Sequence, residues 1–170
     1  MAIYIMLLRL IHIFAGVFWA GSMFLLVGYL QPTVKVTAPE GPKFMQKLMG
    51  GSLATMLAVT PGLNVLAGLL LFWNDSGGLQ LTWLGSAPGI GFTLGGLAGL
   101  VALFIGLFVT RPANLAVVAL GKEIAAAGKP PTKEQMAKMG TLQERMTSAT
   151  LAVVIALAVA ITMMAVARYL

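Results

Sequence analysis

Four long apolar runs carry most of this chain, and nearly all of its charge falls between them. The runs cover residues 3–30, 52–73, 88–110 and 148–167. Each reaches the roughly 20 residues that a helix needs to cross a hydrocarbon core about 30 Å thick. A membrane barrel would alternate apolar and polar residues in shorter segments. The pattern therefore predicts an all-α fold. It is an integral membrane four-helix bundle with cytoplasmic helical extensions, forming a single four-span transmembrane domain over residues 1–170.

The connections add detail to this frame. Pro39-Glu40-Gly41-Pro42 reads as a turn, with Pro42 suited to the first position of a helix. The second helix is then expected to run from Lys43 to Trp73. In the third connection, residues 114–127 have a helical pattern that stops at Gly128-Lys129-Pro130-Pro131. Thr132 and Gln135 form a capping-box pair for a new helix. Met136, Met139, Leu142 and Met146 lie along one stripe of that helix, which is expected to flow into the fourth span. Residues 111–147 are thus predicted to form a helical hairpin in the cytoplasm.

Charge sets the expected orientation. Lys35, Lys43 and Lys47 lie in the first connection. Arg111, Lys122, Lys129, Lys133, Lys138 and Arg145 lie in the third, and the second holds no Lys or Arg. Connections one and three share a side in any four-span protein, and basic residues favour the cytoplasm. The expected location is the bacterial inner membrane, with both termini outside. Residues 1–4 carry no positive side chain, and the apolar run after them is too long for a signal peptide, so it reads as a retained first span.

Composition narrows the function classes. The 170 residues are 59% hydrophobic and 9% charged, with no Cys and one His. Thiolate metal sites and thiol nucleophiles are excluded. The net charge of +6 flanks the apolar runs, where it suits anionic lipid headgroups and not nucleic acid. No nucleophile–base pair, phosphate loop, metal-ligand cluster or intramembrane carboxylate marks an enzyme or a proton relay.

Helix packing in lipid relies on small residues. Gly91, Gly95 and Gly99 form one face of the third span, continued by Ala102 and Gly106. Ala149, Ala152, Ala156 and Ala160 do the same on the fourth. These faces suit packing within the bundle, a homodimer or a larger membrane complex. Pro61 is expected to bend the second span.

The candidate chemistry centres on His12. At 1.5 Å per residue it lies about 12 Å below Tyr4. Arg9, Gly16, Trp19 and Met23 share its stripe. Asn64 is expected at the same depth on the second span, with Thr93 and Thr162 slightly higher. Together these residues suggest a small polar pocket in the outer half of the bilayer. A buried imidazole there is either a ligand site or interhelical glue.

The stretch Arg9-Leu-Ile-His12-Ile-Phe-Ala-Gly16-Val-Phe-Trp19-Ala-Gly21 resembles a first-helix motif of the CopD-like copper-resistance proteins. It is also similar to the membrane part of cytochrome-type urate oxidases and, more loosely, to HemJ-type protoporphyrinogen oxidases. The resemblance covers about one helix in four. It implies a helical bundle in which a first-helix His, here His12, binds haem or a metal ion or serves the active site. The residues then suggest haem b or a metal ion on His12 beside Trp19, with Arg9 facing a propionate and Asn64, Met163 or a second copy's His12 on the opposite side. The alternatives are a non-catalytic accessory or assembly subunit of a membrane complex and a transporter for a small solute or copper.

Overall fold

The computed structural model describes residues 2–170 and is helical throughout, with no strand among the described residues. Four helices are long and apolar enough to cross a membrane: α1 (Ala2–Val36), α3 (Ser52–Asp75), α5 (Ala87–Ala127) and α6 (Lys133–Tyr169). Two shorter helices connect them, α2 (Glu40–Met49) and α4 (Leu81–Leu84). Large apolar side chains such as Phe14, Val17, Leu66, Phe104 and Ile155 stand exposed on all four long helices. A soluble monomer does not carry so broad an apolar surface, whereas acyl chains solvate it readily. The protein is a small, multi-pass integral membrane protein.

The second helix is not continuous from Lys43. Gly51 is extended (φ −105°, ψ −157°) and divides α2 from α3. Two consecutive glycines, Gly50 and Gly51, hold a helix poorly. Pro42 also sits deeper than expected, because α2 begins at Glu40 with Pro39 before it. Its missing N–H still falls among the first-turn donors that have no helical partner.

Elsewhere the connections form as their residues dictate. Gly128 adopts the left-handed conformation (φ 60°) that ends α5. The Thr132 hydroxyl accepts the Gln135 N–H at 3.1 Å, and Gln135 Oε1 accepts the Thr132 N–H at 3.0 Å. From this capping box α6 runs unbroken through the fourth span. The extensions of α5 and α6 pack against each other as a helical hairpin.

Two features escape the apolar pattern. Leu26–Leu30 in α1 and Gly106–Thr110 in α5 are π-turns. The Gln31 N–H reaches the Leu26 carbonyl, and the Arg111 N–H reaches that of Gly106. One residue, Gln31 or Arg111, separates each wide turn from a proline, Pro32 or Pro112. Proline offers no N–H, and its ring crowds the carbonyl four residues back. A single wide turn relieves that crowding without ending the helix.

The core forms where small residues let backbones close in. A Cβ on Gly91 would lie 3.0 Å from Ala167 Cα, and one on Gly95 would lie 3.1 Å from the Ala160 carbonyl oxygen. Ala102 is fully buried in the same seam. Gly91 and Gly95, expected on a face available to a second copy or a larger complex, are therefore engaged by α6 of the same chain. Gly99 has open space around it.

Candidate functional site

His12 and Asn64 meet as their depths predict. His12 Nδ1 lies 2.8 Å from the Asn64 backbone oxygen. A carbonyl only accepts, which places the proton on Nδ1. The Asn64 side-chain amide donates to the His12 carbonyl at 2.6 Å. Two glycines make this close approach feasible. A Cβ at Gly68 would lie 2.8 Å from His12 Cε1, and one at Gly16 would lie 2.7 Å from Asn64 Nδ2. Each antiparallel helix thus offers one polar side chain and, four residues later, one glycine to receive its neighbour's. His12 Nε2 has no hydrogen-bond partner among the described residues.

The rest of the expected outer pocket does not assemble. Arg9 reaches Asp75 at 3.9 Å, both side chains exposed, near the start of α1 and the end of α3. The Thr93 hydroxyl donates to the Gly89 carbonyl of its own helix at 2.7 Å. Thr162 is exposed. Met163 packs near Gly95, between α5 and α6. Trp19 lies two turns along α1 from His12, 3% exposed, in a cluster with Ala20, Met23, Ala102, Val153 and Leu157.

A second space lies at the opposite end of the bundle from His12. A cavity of about 440 Å³ opens between α1, α2, α3, α5 and α6. Such a volume lies within the roughly 300–1,000 Å³ of small-molecule sites. Its apolar end is walled by Trp19, Leu57, Leu103 and Val153, and its polar end by Gln31, Lys35, Lys43, Arg111, Asn114 and Gln143. Both π-turns border it, through Leu26 and through Gly106, Leu107 and Thr110. The Thr110 hydroxyl is buried without a partner, although buried polar atoms are nearly always paired. The Asn114 amide holds the Met49 carbonyl at the end of α2 at 3.4 Å.

Sequence reasoning missed this cavity. The available signal was the pair of prolines, Pro32 and Pro112, just past the ends of the first and third apolar runs, since proline within a helical run forces a local defect. No group of three or more His, Cys, Asp or Glu that could hold a metal ion occurs among the described residues. Comparison with protein-family models, curated proteins and solved structures found no match to the chain.

Proposed function

We propose that the protein binds a small, largely apolar molecule drawn from the bilayer, and that the cavity at the hairpin end of the bundle holds it. The observation that carries this reading is the cavity itself, apolar in depth and bordered by the unpaired Thr110 hydroxyl. Cores otherwise pack with few voids larger than a water molecule. The basic residues of the first and third connections support a cytoplasmic position for this end.

Native mass spectrometry of protein purified in mild detergent tests the proposal. The wild-type chain is expected to carry a non-protein mass. Ala58 and Gly106 line the cavity, and a Cβ on Gly106 meets no atom within 4 Å. Ala58→Phe and Gly106→Leu are expected to remove the bound mass while the unfolding midpoint holds or rises. A wild-type protein with no bound mass would sink the proposal.

One observation favours a second reading, ligation of haem b or a metal ion by His12. An imidazole whose Nδ1–H is fixed on a carbonyl presents Nε2 as a free donor, which is how ligating histidines are commonly oriented. Arg9, Asn64 and Trp19 add no second donor beside it: Arg9 faces Asp75, Asn64 is engaged by His12, and Trp19 is turned into the core. His12 would hold the group through Nε2 alone, and any further ligand would come from another copy or from solvent. Bound haem would supply one-electron chemistry at the outer level of the membrane. A Soret band lost in His12→Ala supports this reading, and colourless protein from haem-replete cells refutes it.

A further inference from the structure

We infer that the cavity selects an anionic amphiphile, holding a carboxylate or phosphate head at its polar end and an apolar body against Trp19, Leu57 and Val153. This inference rests on the cavity proposed above and adds the chemical class of its occupant. Three cations line the same space from three helices: Lys35 of α1, Lys43 of α2 and Arg111 of α5. No Asp or Glu lines it. Among the described residues, the ion pair within 4.0 Å is Arg9–Asp75, far from this end, and none involves these three cations. All three side chains are solvent-exposed where they line the cavity, so their mutual repulsion is screened, and together they attract an anion to its polar end. The unpartnered Thr110 hydroxyl, adjacent to Arg111 on the π-turn, adds a donor at the same level.

A plainer account exists for basic residues near the ends of spans. Lys and Arg there commonly face lipid headgroups on the outside of the protein. Cations acting in that way would attract an anionic bilayer one by one, whether or not the cavity is open. The anionic-occupant account instead ties the charges to the cavity's interior. Filling the cavity therefore separates the two.

The test measures binding of oleate and of monoolein, which share an acyl chain and differ in head charge, to delipidated full-length protein in a non-ionic detergent. Oleate is expected to bind about tenfold more tightly, as a charge-assisted hydrogen bond allows. Phosphatidylglycerol and inorganic phosphate serve as further arms. Binding of phosphatidylglycerol would identify a membrane lipid as a source of the head, whereas phosphate without a chain is expected not to bind. The triple variant Lys35→Gln/Lys43→Gln/Arg111→Gln is expected to bring oleate down to monoolein's affinity, and Ala58→Phe to abolish both. Equal binding of the two amphiphiles to wild-type protein overturns the charge inference and leaves the cavity reading standing. Binding of neither overturns both. Oleate binding that survives Ala58→Phe places the anion on the outer surface and overturns the inference.

Discussion

Gly95→Leu is expected to force the third and fourth spans apart and to destabilise the protein by about 2 kcal/mol, the range of overpacked cores. The Cβ alone would lie 3.1 Å from the Ala160 carbonyl oxygen and 2.8 Å from Met164 Cγ. Met164 is flexible and can yield. The Ala160 carbonyl is helix backbone, and it moves only if α6 moves. Gly95→Ala meets the same two atoms with its Cβ but adds nothing beyond it, so it is expected to cost less than leucine: the roughly 0.8–1.0 kcal/mol by which alanine exceeds glycine in a helix offsets part of the small shift that Met164 and the Ala160 carbonyl must make. Leucine has no such escape. Gly99→Leu is the control, since a Cβ there meets nothing within 4 Å. Unfolding in mixed micelles, followed by circular dichroism, ranks the three. Equal damage from Gly99→Leu and Gly95→Leu would show that the stripe meets a surface outside this chain and would refute the intramolecular account.

Gly68→Ala is expected to cost about 1–2 kcal/mol, and to cost nothing once His12 is alanine. The new methyl would lie 2.8 Å from His12 Cε1 and 3.0 Å from Nδ1. The imidazole must swing away, and its 2.8 Å bond to the Asn64 carbonyl is lost. Interhelical hydrogen bonds in membranes average about 0.6 kcal/mol and reach about 1.7, and displacement of the ring adds strain. In His12→Ala the space beside residue 68 is empty, and the methyl fills it. A double-mutant cycle isolates this coupling. Additive losses in the double variant would show that the glycine serves something other than the imidazole.

Depth along the membrane was legible in the sequence, and direction around each helix was not. Counting residues placed His12 and Asn64 at one level, and they bond there. The same arithmetic placed Thr162 near that level, yet its side chain faces outward. Rise per residue fixes height, whereas azimuth follows from which small faces pack, and Gly91 and Gly95 draw α6 into a rotation that no local pattern specifies. The capping box at Thr132 and Gln135 and the stop at Gly128 were readable because they are local chemistry. Continuity from Lys43 to Trp73 failed at Gly50–Gly51, where two weak helix formers outweighed the apolar periodicity. The cavity had no signature in any single segment. It is space between five helices, and its only trace in the chain is a proline behind each of two wide turns.

Those wide turns alter the phase of the helices that contain them. Along α1 the residues lining the cavity are Trp19, Met23, Leu26, Gln31, Val34 and Lys35, and the stride of five, from Leu26 to Gln31, falls across the π-turn. One extra residue amounts to about 100° of winding. An apolar stripe traced down the first span from outside therefore drifts away from its partners unless one position is skipped at the turn. Hydrophobic-moment analyses that assume a single period average two out-of-step segments and flatten both. The bundle behaves as two stacked gears cut from the same rods, one meshed closely through glycine and alanine and the other with a chamber between its teeth.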